Sequence, residues 1–138
     1  MSDSDDAKAA HRDQRLLTDP IAWLGTVRPD GRPHFVPIWF QWDGETVLFF
    51  SKPDDQKLRN LRQNPRVFLA LDDTNHGADV VLLEGMAELL DQPASEVVTE
   101  GYLEKYAADI PQLGLTPASM TETYSQAVRV RPSRVFGW

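Results

Sequence analysis

Between Ile21 and Leu71 short apolar runs alternate with residues that turn the chain. Ile21–Val27 meets Pro29-Asp30-Gly31, His34–Trp42 meets Asp43-Gly44, and Thr46–Ser51 follows. Asp-Gly between apolar runs marks a β-hairpin, because glycine accepts positive φ without strain. Two such turns in succession predict a three-stranded antiparallel meander. Its first strand is almost wholly apolar and is expected to be covered on both faces. The second alternates: Phe35, Pro37, Trp39 and Gln41 face one way, while Val36, Ile38, Phe40 and Trp42 face the other. Pro37 donates no backbone hydrogen bond, which predicts an edge strand or a bulge there. Backbone groups freed beside it can serve a ligand or a partner chain.

The pattern changes period after Ser51. Pro53–Gln63 reads as a short basic helix in which Leu58 and Leu61 dock on the sheet, while Lys57 and Asn60 share another face. Ser51 and Lys52 thus reach the N-terminus of a helix, a place suited to an anionic group. Asn64-Pro65 breaks the helix, Arg66–Leu71 forms a fourth strand, and Asp72–Asp79 is a polar loop. Val80–Leu90 is a fifth strand, with Gly85 as a bulge or close-approach point. Pro93 opens a helix carrying Val97, Val98, Tyr102 and Leu103 at helical spacing. A loop bracketed by Pro111 and Pro117 follows, then a helix over Thr116–Gln126 and a closing strand over Ala127–Trp138. Upstream, Met1–Asp6 is expected to be disordered. Ala7–Leu17 is expected to be a helix with Ala10, Leu16 and Leu17 as its buried side, stopped at Asp19-Pro20. The sum is a mainly β fold of about six antiparallel strands with accessory helices, a barrel-like core in one domain over residues 7–138.

Composition narrows the function. The 138-residue chain is 41% hydrophobic and 25% charged, as in ordinary globular proteins. Without cysteine it has no disulfide, thiolate metal site or cysteine nucleophile. An acidic, polar N-terminal stretch lacks the features of a signal peptide, and no apolar run could span a membrane, so a cytoplasmic protein without membrane partners is expected. The net charge of −7 opposes a general nucleic-acid binder. Positive charge is nonetheless clustered, with Lys52, Lys57, Arg59, Arg62 and Arg66 in one segment and Arg129, Arg131 and Arg134 in another. Such clusters in an acidic chain suit small anions or local salt bridges.

No nucleophile elbow, phosphate-binding glycine loop or zinc-protease motif is present, and no carboxylate pair is arranged for acid–base work. His11, His34 and His76 fall in different elements, so no metal site is expected, and His34 beside a turn reads as a surface residue. No catalytic residue is designated; Tyr124, His76 and solvent are alternative proton donors. What remains is a binding slot. Aromatic residues beside Pro37 lead to Ser51, Lys52, Lys57 and Asn60, an apolar-to-basic gradient suited to a flat ring with a phosphorylated tail.

Three blocks carry a resemblance: T-x-R-P-D-G-R-P-H-x-V-P-I-W-F, S-K-P-x-x-x-K-x-R-N-L-R-x-N-P-R-V, and V-L-L-E-G-M-A-E. In this order and spacing they resemble the pyridoxamine 5′-phosphate oxidase-like superfamily of FMN-binding split barrels. Within it they are most similar to the branch of flavin and deazaflavin oxidoreductases assigned to cofactor F420. The resemblance implies a homodimeric split β-barrel with two cofactor sites at the subunit interface. Val36, Pro37, Ile38 and Trp39 would run along the ring system, with Ser51, Lys52, Lys57 and Asn60 near the phosphate and its chain. It implies an F420-dependent oxidoreductase passing a hydride to a small conjugated or unsaturated molecule. FMN in the same fold, or a non-catalytic flavin, F420 or haem binder, is the alternative. One departure stands out: Asp54 and Asp55 occupy the segment where relatives place a basic residue, and they would compete with a bound phosphate.

Overall fold

A computed structural model of the chain describes residues Asp3–Trp138. Helix α1 (Asp3–Thr18) precedes strands β1 (Ala22–Val27), β2 (Pro33–Ile38), β3 (Gln41–Trp42) and β4 (Val47–Ser51). Helix α2 (Gln56–Gln63), β5 (Arg66–Leu71) and the long β6 (Val81–Pro93) follow. Four short helices, α3 (Ala94–Val97), α4 (Glu100–Lys105), α5 (Asp109–Gln112) and α6 (Pro117–Thr123), lead into β7 (Gln126–Gly137). Of the segment expected to be disordered, Met1 and Ser2 lie outside the described residues, and the helix begins at Asp3 rather than Ala7.

Every pairing is antiparallel, and the sheet runs β2-β1-β5-β6-β7-β4-β3. Both expected hairpins form, β1 with β2 and β3 with β4. They do not form a meander, because the expected second strand breaks at Trp39-Phe40 and its two halves go to opposite edges of the sheet. The result is a seven-stranded barrel left open between β2 and β3. The alternation of Ile38, Phe40 and Trp42 survives the break, since all three remain buried. Pro37 pairs with Trp23 on β1 and occupies the free edge, where its missing N–H is harmless.

Two apolar clusters hold the fold together. The barrel interior is filled by Leu24, Phe40, Val47, Phe49, Leu83, Val128 and Val130, capped by Leu58 and Leu61 of α2 and Leu16 of α1. The second lies outside the barrel, where Phe50, Tyr102, Tyr106, Ile110 and Met120 join helices α3–α6 to β4 and β7. Strand β4 is therefore buried on both faces, Val47 and Phe49 inward and Leu48 and Phe50 toward the helices. The expectation for β1 fails: Trp23 and Val27 are exposed on its outer face. On α1 Leu16 is buried, but Ala10 and Leu17 are exposed.

Gly85 stands where the β6–β7 register slips. A Cβ there would lie 2.6 Å from the Arg131 carbonyl oxygen, so only glycine lets the two strands approach. Helix α1 is fastened by Arg15, which donates to the Asp19 carboxylate and to the carbonyls of Asp72, Asp73 and Asp79.

Candidate functional site

The open side of the barrel owes its shape to the break after Ile38. Phe40 carries backbone groups that no neighbouring strand takes up, and Lys105 at the end of α4 and Tyr106 just beyond it supply the partners. The Tyr106 hydroxyl accepts from Phe40 N at 2.8 Å and donates to the Pro20 carbonyl at 2.7 Å. Lys105 Nζ donates to the Phe40 carbonyl at 2.8 Å and sits 3.8 Å from the centroid of the Phe40 ring. Burial pushes the Lys105 ammonium down to about 8, against the opposing pull of Asp19. The next residue back, Trp39, stacks flat on Tyr106, with centroids 4.5 Å apart and planes 4° from parallel. Such a pair is a rigid aromatic wall.

Trp39, backed by Tyr106, bounds a cleft of about 190 Å³. Pro37, Ile38 and Trp39 form one side, Phe50 and Tyr102 the floor, and Leu113, Leu115, Met120 and Tyr124 the side built by the helices. Lys57 is the charged member of the lining. Its ammonium is bound to Asp55 at 2.7 Å and its side chain is only 14% exposed, so it is not a solvated helix residue. Burial raises the Asp55 carboxyl, but the hydrogen bond and charge of Lys57, with smaller help from Ser51 and Lys52, hold it below the ordinary value.

The residues singled out from sequence separate into two groups. Pro37, Ile38, Trp39 and Lys57 meet at the cleft. Val36 packs on the barrel core, and Lys52 is exposed with its ammonium 5.7 Å from the Tyr124 ring centroid. Ser51 and Asn60 are fully buried and satisfied within the protein. Ser51 Oγ donates to the Lys52 carbonyl, and Asp55 Oδ2 lies 3.3 Å away. Asn60 Nδ2 donates to Thr26 Oγ1 at 2.9 Å, and Gln56 donates to Asn60 Oδ1 at 2.7 Å. Of the alternative proton donors, Tyr124 lines the cleft, whereas His76 lies in an exposed loop with φ 61°. Burial raises both Tyr102 and Tyr106 far above the ordinary phenol value, so neither gives up a proton near neutrality.

Sequence reasoning missed the helical wall and one polar pair. Residues 94–124 are mostly exposed, and only the isolated apolar positions Leu113, Leu115 and Met120 hint at a lining role. The polar pair is Arg28 and His34. Carrying the alternation of Val36, Ile38 and Phe40 one step back puts His34 on the inner face, and the register agrees, with His34 opposite Thr26. Its Nδ1 is buried without a hydrogen-bond partner, as is Nε of Arg28. Burial, then the charges of Arg28 and Lys57, hold the His34 imidazole below its ordinary value. A second cleft, of about 210 Å³, lies beside the Arg15 clamp, where the guanidinium is already taken up by internal hydrogen bonds.

An open antiparallel barrel whose broken edge strand lines an apolar cleft with a basic end is a split β-barrel of the flavin-binding type. The family described as pyridoxamine 5′-phosphate oxidase matches residues 8–138, and the chain belongs to it. Among solved structures, one described as an F420 reductase is 26% identical with a TM-score of 0.74, covering 90% of this chain and 94% of that one. A conserved hypothetical protein from Mycobacterium tuberculosis, Rv2991, is 27% identical with a TM-score of 0.70, covering 100% of this chain and 84% of that one. HutZ, described as a haem storage protein from Vibrio cholerae, shares the fold at 17% identity and a TM-score of 0.62, covering 96% of this chain and 93% of that one. No curated protein matches the chain. Among the described residues no helix is long and apolar enough to cross a membrane.

Proposed function

We propose that the protein is an F420-dependent oxidoreductase acting on a small conjugated or unsaturated organic molecule. The observation that carries this reading is the meeting of Pro37, Ile38 and Trp39 with Lys57 in one cleft, apolar along its length and cationic at one end. Likeness to an F420 reductase over nearly its whole length adds to it. When bound, the reduced cofactor supplies a hydride, which is chemistry no side chain here provides. The chain's part is to bind and orient. The Trp39–Tyr106 stack offers a flat face to a ring system. Leu113, Leu115 and Met120 keep that face dry, and Lys57 exchanges its Asp55 partner for a phosphate oxygen. With Tyr102 and Tyr106 held protonated, any proton comes from Tyr124 or from solvent.

The same reading includes a homodimer. Pockets that enclose a drug-sized ligand hold roughly 300–1,000 Å³, more than the 190 Å³ of this cleft. The outer face of β1, β2 and β6 exposes Trp23, Val27, Phe35 and Met86, an apolar surface of the kind that marks association. A second copy seated there would enlarge the half-site beside it.

Parallel fluorescence titration of the apoprotein with F420 and FMN tests the choice of cofactor. Turnover of a conjugated acceptor with reduced F420 then tests the activity, and sedimentation tests the dimer. Tighter binding of FMN would move the function to a flavin enzyme, and F420 binding without turnover would make the protein a carrier.

A further inference from the structure

We infer that Tyr102 recognises the acceptor substrate, its hydroxyl donating a hydrogen bond to the carbonyl oxygen of an uncharged conjugated ketone or ester held in the cleft. This role rests on the oxidoreductase reading and deepens it, giving the acceptor a chemical class and the site a catalytic residue.

The chain's three tyrosines use their hydroxyls differently. Tyr106 Oη is taken up by the strand break, accepting from Phe40 N and donating to the Pro20 carbonyl. Tyr102 is 2% exposed and lines the cleft, yet its hydroxyl bonds to no other described residue. Only its backbone is bonded, to the Thr99 hydroxyl at 3.0 Å and to Tyr106 N. A buried phenol ordinarily finds a partner for its O–H. The Tyr102 oxygen is not fully enclosed either, unlike the unpartnered Arg28 Nε and His34 Nδ1, so it keeps access to the cleft that the residue lines. Its ring is well fixed, edge-on to Phe50 with centroids 4.9 Å apart and 5.0 Å from the Tyr106 ring.

These features define the ligand. Ile38, Trp39, Phe50, Leu115 and Met120 make the surroundings apolar, where a fixed donor meets little competition from water. Burial, and then the neighbouring Tyr106, push ionisation of Tyr102 far above the ordinary phenol range, so the group offers a hydrogen bond and keeps its proton. The cleft's cation, Lys57, is held by Asp55. A carboxylate beside Tyr102 would give up its hydration for one neutral donor, whereas a carbonyl oxygen is well matched to it.

The reduction balances with the reduced cofactor as hydride donor. A hydride adds to the β-carbon, the C=C pair shifts toward the carbonyl, and negative charge gathers on its oxygen. The Tyr102 O–H stabilises that charge where it develops. A proton from Tyr124 or solvent then reaches the α-carbon. The acceptor gains two electrons and two hydrogens, and the cofactor is oxidised by two electrons.

Tyr102→Phe is the informative variant, because it keeps the ring contacts and removes a hydroxyl that no protein group uses. Its thermal melt should match the parent's. The probe is benzylideneacetone labelled with carbon-13 at the carbonyl, titrated by NMR into the apoprotein and the F420-loaded protein. Bound to the parent, its carbonyl resonance should lie downfield of its position in Tyr102→Phe. The variant should bind the ketone about threefold to tenfold more weakly, the worth of one neutral hydrogen bond. With reduced F420 its kcat should fall about a hundredfold, while F420 affinity stays as in the parent. Tyr124→Phe should keep the downfield shift. A carbonyl resonance unmoved by Tyr102→Phe overturns the role, as does a shift lost in Tyr124→Phe instead, or a ketone that binds neither form. Weaker F420 binding in Tyr102→Phe with ketone binding unchanged would also overturn it, giving the hydroxyl to the cofactor ring. Failure of F420 to bind, while the ketone shift persists and requires Tyr102, would remove the oxidoreductase reading and leave the carbonyl site.

Discussion

Arg15 and Arg28 are both partly hidden from solvent, yet the molecule treats them in opposite ways. Arg15, 8% exposed, directs its guanidinium to the carboxylates of Asp19 and Asp79 and to three backbone carbonyls, tying α1 to the loop between β5 and β6. Arg28 makes no side-chain hydrogen bond or ion pair to another described residue, and its Nε is buried. Around Arg15 the bonding is complete and the region is a fastener. Around Arg28 and His34 it is incomplete, with Arg28 Nε and His34 Nδ1 buried and unpartnered.

The sharpest break of that contrast is mutational. Arg15→Met should lower unfolding free energy by about 3–5 kcal/mol, since it strands Asp19 and three carbonyls. Arg28→Met should stay within about 0.5 kcal/mol of the parent. Equal losses in urea melts would erase the distinction. Next is Asn60→Ala, which leaves Thr26 and Gln56 without a partner and should lower stability by about 1–3 kcal/mol with no loss of phosphate binding. Weakened phosphate binding in that variant, with the fold intact, would return Asn60 to the site. Lys57→Ala should weaken F420 binding roughly ten- to a hundredfold, about 1.4–2.8 kcal/mol. Its melt should move little, because Asp55 keeps contact with Ser51 and water. An unchanged dissociation constant would take Lys57 out of the binding end.

The smallest effect concerns pH. The folded His34 pKa lies below the ordinary 6.5, so the unfolded chain binds its proton first. Its share of stability is therefore full above about pH 6.5 and is lost as pH falls through the folded value. Between pH 7.5 and 5 the parent should lose more stability than His34→Gln. Parallel slopes for the two proteins would mean that neither burial nor the neighbouring charges hold the imidazole down.

Local chemistry was legible in the sequence; long-range pairing was not. Asp43-Gly44 and Pro29-Asp30-Gly31 announced their hairpins, and Pro37 announced an edge. The break at Trp39 left no trace, because alternation records which face a residue occupies and not which strand lies beside it. Val36 through Trp42 keeps one phase while changing partners. The site shows the same limit. Lys57 and Asn60 are three residues apart on one helix, but only the distance from α2 to Thr26 shows that Asn60 is occupied. His34 was hidden for a simpler reason, its nearness to a turn, although its phase along β2 already pointed inward.

The place of β7 has a consequence for how the chain folds. It sits between β6 and β4, so β4 cannot join the rest of the sheet until β7 arrives, Ser51 meeting Gln126 at the far end of a long loop. Closing so long a loop is entropically slow, and a sheet built of such distant pairs has high contact order. Until it closes, the β3–β4 hairpin carries Val47, Leu48, Phe49 and Phe50 with neither face covered. This apolar hairpin is the segment most exposed to misassociation during folding. A crowded cell would meet this protein's weakest moment there, well before any cofactor is present.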